Sequence, residues 1–502
     1  MRGAFDVAIV GSGFAGSLLA LVARKLGLSV VLLEKGSHPR FAIGESTSPL
    51  ANLLLEELAT RYRLPRLLPF AKWGSWRRAH PELSCGLKRG FSFFHHTEGR
   101  PFANAPDRHD QLLVAASPND EVADTHWYRP DFDHFLLKEA EEAGSDYVDR
   151  TTLGDVARQE DRWVLTGGRA GGVFTFEASF LVDASGRSGA LHDALGVRRL
   201  AVPFLPSTQG LFSHFEGVRR LDEMGIPEDP DSPPYPVDDA AVHHVFPGGW
   251  VWILRFANGL TSAGVAASDA FAEAAGFSRG EAAWSRLLER FPTIRDQFEK
   301  ARPTLPLIHA TQLPFRVDRA AGPGWALLPS AAAFADPLLS TGFPLALLGI
   351  HRLAEALGED FGTPRFDDRL AAYGALTLEE ADRAARLVAA LYSAFGDFPL
   401  FVELSKLYFA PAHFSESARR AGRPDLAGTF LCGSHPRFGP AFDACCRAAL
   451  AARDAKGRER LLADIAAAVR LVDLAGLLDR SRKNWFEATP VSVSCAAFSA
   501  PA

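Results

Sequence analysis

Two rhythms of apolar residues divide the chain. Short unbroken runs come first. FDVAIV (5–10) and LSVVLLE (28–34) have the pattern of strands buried on both faces of a parallel sheet. Between them SLLALVARKLG (17–27) predicts an apolar-faced helix stopped by Gly27. WVLT and VFTFEASFLVDA flank GGRAGG (167–172), which reads as a hairpin loop. WALLPSAAAFADPLLSTGF (325–343) predicts a strand, a turn and a helix start. SCGLKRGFSFFHH (84–96) alternates as a strand does. From about residue 351 the spacing changes to threes and fours, in HRLAEALGED, RLAAYGALTLEEADRAARLVAALYSAF and GRERLLADIAAAVRLVDLAGLLDRS, and predicts helices. The proline- and acid-rich stretch 227–239 predicts a surface loop, either a lid or a passive connection. The final VSVSCAAFSAPA reads as a frayed tail.

Chemistry enters at GSGFAG (11–16), directly between the first strand and the first helix. This is the dinucleotide fingerprint in its proper setting. Gly11 permits the tight turn, Gly13 lets backbone approach a pyrophosphate, and Gly16 lets helix pack on strand. Glu34 ends the second strand, where a carboxylate can take ribose hydroxyls. There is no second fingerprint, so one dinucleotide is expected. Composition removes other classes. Lys and Arg number 54 against 60 Asp and Glu, a net charge of −6 without a long basic run, which argues against nucleic acid as partner. Cys85, Cys432, Cys445, Cys446 and Cys495 form no CxxC pair, so neither a disulfide framework nor a zinc site is expected, and a reducing cytoplasm fits. Glycines interrupt the apolar N-terminus, against a signal peptide, and no apolar run is long enough to predict a membrane span.

Three further stretches narrow the reading: PRFAIGEST (39–47), DPLLSTG (336–342) and Trp250-Val251-Trp252-Ile253. With the fingerprint and DASG (183–186), they make residues 1–350 resemble the flavin-dependent halogenases, within the aromatic-hydroxylase-like flavoproteins. CGLKRGFSF resembles most the phenol and phloroglucinol branch of that family. The resemblance implies an α/β fold: a discontinuous Rossmann-like FAD-binding domain (1–80, 140–200, 305–360), an antiparallel substrate sheet (81–139, 201–304) and a C-terminal helical region (361–502) covering the substrate pocket. It implies FAD, used as FADH2, with O2 and chloride or bromide, and a separate flavin reductase.

Residue by residue, the resemblance assigns cofactor contacts to Gly11, Gly13, Phe14, Ala15, Gly16, Glu34, Arg40, Gly44, Glu45, Ser46, Thr47, Arg129, Asp183, Gly186, Asp336, Pro337, Gly342 and Phe343. Ser185 shares the DASG element. Ser340, Thr341 and Gly342 are the implied halide site, where amides at a helix start suit an anion. Lys88 is the implied catalytic lysine, receiving hypohalous acid made at the flavin and passing the halogen to an electron-rich, phenolic ring. Read alone, Lys88 fits better as an exposed strand lysine with its stem on apolar surface; the catalytic reading comes from the resemblance. His96, eight residues further on, is the expected base for a phenol, with His95 beside it and His243 and His244 as a second pair. No metal is expected, since no acids lie at ligand spacing from these pairs.

Three places depart from the family pattern. Leu254 stands where the family motif has proline. Leu339 stands where tryptophan halogenases carry glutamate, which points to a self-activating ring such as a phenol. Pro329-Ser330 replaces the Gly-Asp of many relatives. Phe395, Phe398, Phe401, Tyr408 and Phe409 are either core or the lining of a ring-sized cavity. Two alternatives share the flavin: a ring-hydroxylating monooxygenase, and a halogenase acting on a carrier-tethered substrate. A third, a degenerate FAD-binding protein without catalysis, is opposed by Lys88 together with the STG loop.

Overall fold

The computed structural model describes residues 1–451 and 454–489; the C-terminal tail and Cys495 lie outside them. Strand Arg2–Val10 forms the centre of an eight-stranded sheet. It pairs in parallel with Val30–Leu33 on one side and Gly172–Asp183 on the other. All of its last four residues are buried, as the unbroken apolar run requires. Helix Phe14–Lys25 crosses between the first two strands, packed under helix Arg129–Glu142 and against helix Gly342–Glu359. The hairpin predicted at GGRAGG is present: Arg162–Arg169 turns into Gly172–Asp183 through Ala170 and Gly171, both at positive φ.

A second, nine-stranded sheet holds Thr208–Glu216, Thr261–Ser268, Gly249–Arg255, Ala241–Phe246, Gly90–His95 and Gln111–Ala115 in that spatial order. It is not purely antiparallel: Ala241–Phe246 runs parallel to Gly90–His95, and Trp485–Phe486 parallel to Gln111–Ala115. Its two faces serve different cores. Phe91, Phe93, Trp250 and Trp252 face the large core shared with the nucleotide helix and the C-terminal helices. Phe94, Phe246, Val251 and Ile253 face a separate core closed by helix Glu281–Arg290 and its neighbours.

The structure corrects the expected boundaries in two places. Helix Arg129–Glu142, assigned above to the substrate sheet, lies against the nucleotide helix because its apolar face (Phe132, Leu136, Leu137, Ala140) belongs to that core. The C-terminal segment is not helical throughout, since Trp485–Phe486 adds an edge strand to the substrate sheet. The loop 227–239 is a pinned connection and no lid. Asp229 is paired with Arg108 (2.7 Å), Tyr235 donates to Phe91 O (2.6 Å) and Asp238 is paired with Arg255 (2.8 Å).

Candidate active site

A cavity of about 1040 Å³ runs from the fingerprint turn to the tryptophan strand. Its near end is built by glycine geometry. Gly11 sits at φ 108°, and a Cβ there would come within 2.5 Å of Ala184 O. A Cβ at Gly16 would lie 2.0 Å from Gly11 O, so that position serves packing and does not reach the cavity. At Gly13 the missing side chain faces Arg129 and Asp133 at 3.7 Å and Arg40 at 3.8 Å, a polar ring at a helix N-terminus. Glu34 is buried. Burial would raise its carboxyl, but the Gly36 amide (2.9 Å), Arg40 and Ser12 hold it down at about 2.

Along the groove, Arg129 makes a bidentate pair with Asp133 (2.6 and 2.8 Å) and donates to Gly44 O (2.8 Å), which fixes segment 40–47 to the nucleotide side. Gly186 and Gly342 face open space, where an added Cβ would meet nothing. Phe14, Ala15, Ser46, Pro337, Ser340, Phe343, Trp250, Trp252, Leu254 and Ser330 complete the walls. Glu45 also lines the cavity; one carboxylate oxygen accepts from His214 (2.7 Å) and the other is buried without a partner. The elongated, glycine-floored groove fits FAD: Arg40 and Arg129 beside Gly13 could hold a pyrophosphate, and Glu34 could take ribose hydroxyls.

Lys88 is wholly buried. The strand predicted over 84–96 is interrupted at Arg89, whose amide bonds Asp239 O, so Cys85–Lys88 belongs to a separate two-stranded ladder with Asp124–Trp127. There Nζ donates to Ser46 Oγ (2.9 Å) and to Thr47 O, and lies 3.8 Å from the centre of the Phe91 ring. Burial pushes the ammonium down to about 7. On the facing rung buried Asp124, raised by burial to about 6, accepts from Asn52 (2.8 Å) and leaves its other oxygen unpartnered. Lys88 therefore lies just behind the cavity wall, one hydroxyl removed from it, and is no surface lysine.

Some expected residues do not reach the cavity. Asp183 is turned inward and braces its own turn, accepting from Ser185 N (2.9 Å), Ser185 Oγ (2.6 Å) and Leu191 N (2.9 Å). Thr47 bonds Thr125 O (2.7 Å). Thr341 lines a small void beside Phe334 and Ala335 and not the main cavity, which Ser340 and Gly342 line. His96 is the clearest correction: it points into the opposite core, where Nε2 lies 2.8 Å from His244 Nδ1. His95 contacts Phe395 O (3.2 Å) and stacks on Phe398. The histidine on the cavity wall is His243, stacked 4.3 Å from Phe93, with Nδ1 3.2 Å from Ser92 O. Parity could have found it: His243 sits opposite Trp252 in the ladder, and its neighbour His244 must face the other way. The aromatic cluster of the helices packs on the same side: Phe401 meets Phe93 (5.5 Å), and Phe409 and Tyr408 meet Phe91 (5.3 and 6.1 Å).

Comparison with known proteins agrees with this geometry. Residues 6–333 match the family of FAD dependent oxidoreductases. The chain is 28% identical to monodechloroaminopyrrolnitrin halogenase PrnC of Pseudomonas fluorescens over 80% of its own length and 70% of the relative's. It is 30% identical to tetracycline 7-halogenase of Kitasatospora aureofaciens, over 72% and 66%. The crystal structure of halogenase PltM in complex with phloroglucinol and FAD superposes with a TM-score of 0.84 at 24% identity, covering 96% of this chain and 99% of that one. No helix among the described residues is long and apolar enough to cross a membrane. The chain belongs to the FAD dependent oxidoreductases and, within them, to the flavin-dependent halogenases, enzymes that use FAD, O2 and halide.

Proposed function

We propose that this enzyme halogenates an electron-rich aromatic ring of the phenol type, through hypohalous acid passed to the ring by Lys88. The observation that carries the reading is the lysine itself: a fully buried amine, held by Ser46 and Thr47 behind the cavity wall and against Phe91. Reduced FAD with O2 supplies the oxidising equivalent that turns halide into hypohalous acid. The protein's part is to bind halide, exclude water and aim the oxidant. Ser340 and Gly342, at the start of helix Gly342–Glu359, present a helix N-terminus to the anion. Trp250, Trp252 and Leu254 make an apolar partition that keeps the reactive species from bulk water. Lys88 Nζ has two carbonyl- or hydroxyl-directed protons; a third can polarise the oxygen of hypohalous acid, and a depressed ammonium can also release a proton and act as amine.

The ring would lie in the cavity beside Trp250, Trp252 and His243, with the Phe91, Phe93, Phe401 and Phe409 rings packed together behind that wall. Leu339 supports a substrate that activates itself, because no carboxylate stands there to help remove the ring proton. Phloroglucinol, bound with FAD in the PltM complex, is a ring of that kind. The peptidyl-carrier substrates named for two further relatives keep a carrier-tethered ring as the variant form of the reading. A separate reductase is expected to provide FADH2, and the four unpaired buried cysteines among the described residues suit a reducing cytoplasm. The test is reconstituted turnover with FAD, a flavin reductase and NADH on a panel of phenols, with chloride and bromide separately and Lys88→Ala as control. A halogen isotope pattern that disappears in Lys88→Ala supports the reading. A product heavier by one oxygen and indifferent to halide overturns it in favour of a hydroxylase, the alternative kept alive by Leu254.

A further inference from the structure

Tyr392 belongs to helix Arg365–Ser393, in the helical cover, and its sequence context gives no hint of a role. Its hydroxyl donates to Asp336 Oδ2 (2.8 Å). The other oxygen of the same buried carboxyl accepts from the indole N–H of Trp250 (3.1 Å) and from Leu338 N (3.0 Å). One carboxyl thus joins three separate parts: the cover, the tryptophan partition and the loop that leads to Ser340–Gly342. No charged side chain takes part.

The loop needs such a tie. Leu339 (φ 64°) and Ser340 (φ 55°) are consecutive non-glycine residues in the left-handed region. Side chains with a Cβ rarely adopt it, and such backbone persists only where its surroundings over-determine it. A second pair of the same kind, Leu431 and Cys432, is held in the same manner: Phe430 N donates to Glu380 (2.7 Å) and Arg383 donates to Leu431 O (3.2 Å). At the cavity the Asp336 carboxyl fills that part.

We propose that Tyr392 is a positioning residue for the halide loop, acting through Asp336, and that it sets the loop and the Trp250 partition in register with the helical cover. The proposal rests on the reading above that assigns halide to Ser340–Gly342. Tyr392 does not line the cavity and acts only through Asp336. Its loss leaves the nucleotide end of the groove intact and frees the strained loop to relax.

The experiment is halide titration of the FAD-loaded, full-length protein, read by the flavin visible difference spectrum, together with the halide KM in turnover. FAD affinity and the thermal midpoint report on folding. Tyr392→Phe is expected to weaken halide binding about tenfold, the equivalent of losing one hydrogen bond to an acidic group, with FAD affinity unchanged. Asp336→Asn is the conservative variant. Its Oδ1 can still accept from Trp250 and Leu338, and its Nδ2 can donate to the Tyr392 hydroxyl, so halide affinity should stay within about threefold of wild type, since each tie is kept with only one reversed. Asp336→Ala should lose at least as much as Tyr392→Phe. Unchanged halide affinity in Tyr392→Phe overturns the proposal alone, as does Asp336→Asn failing as badly as Asp336→Ala. A wild-type protein that shows neither a halide-dependent spectral change nor a halogenated product overturns the halide assignment, and the proposal with it.

Discussion

The two faces of the substrate sheet are made from the same strands, yet they carry different work. His243 and His244 are neighbours in one strand. His243 lines the cavity beside Trp250; His244 bonds His96 in the opposite core. Burial pushes both imidazoles down to about 3, so burial and titration do not distinguish them. What separates them is what lies beyond each ring. On one side are a cavity, a buried lysine and two tryptophans. On the other is a closed apolar core capped by Phe102 and Phe291. Residue type names a candidate; the parity of the strand decides which face it serves.

Four measurements would break or sharpen this contrast. Phe246→Ala, on the closed face, should cost about 3–5 kcal/mol in denaturant unfolding while sparing turnover per folded molecule at low temperature. A matching loss of turnover would mean that the closed face is not merely structural. Lys88→Ala, behind the open face, should lower halogenated product at least about 100-fold with FAD still bound, measured by mass spectrometry and flavin absorbance. Product near the wild-type level would overturn the role proposed for the lysine. His244→Phe strips His96 Nε2 of its partner and should cost about 1–3 kcal/mol of stability. His243→Gln should do the reverse, lowering turnover without moving the unfolding midpoint, because the amide can keep the Ser92 bond. Equal effects of the two variants would erase the distinction between the faces.

A further effect is expected in acid. The unfolded histidines take up protons near pH 6.5, whereas folded His243 and His244 do so only near 3. Between these values the unfolded chain binds more protons, so stability falls as pH falls, by about 1.4 kcal/mol per pH unit for each such histidine. Above pH 6.5 the contribution is complete and flat. Unfolding free energy followed from pH 6.5 to 4 should fall less steeply in His244→Phe. An unchanged slope would show that His244 is not the neutral, buried group described.

Much of this was legible in the chain. The fingerprint between two apolar runs, the hairpin at Ala170–Gly171 and the paired tryptophans follow from periodicity and local turn chemistry. The residues misread are those whose direction depends on a turn. Arg89 breaks the strand after Lys88, so counting forward from the lysine gives the wrong side for His96. Asp183 is at a strand end, where its own turn supplies its donors. Tyr392 and Asn52 are distant in sequence from Asp336 and Asp124, the groups they hold, and nothing local marks them.

Segment 40–47 has a consequence for anyone altering this enzyme. At one end Arg129 fastens it to the groove, and at the other Ser46 and Thr47 carry the lysine. A single ribbon therefore ties the groove wall to Lys88, so a change to it alters both the groove and the lysine's mounting. The Phe398–Arg420 helix lies outside that ribbon, packed against Phe91 and Phe93. Changes on the helix spare Ser46 and Thr47 but still reach the lysine through the Phe91 ring it rests on.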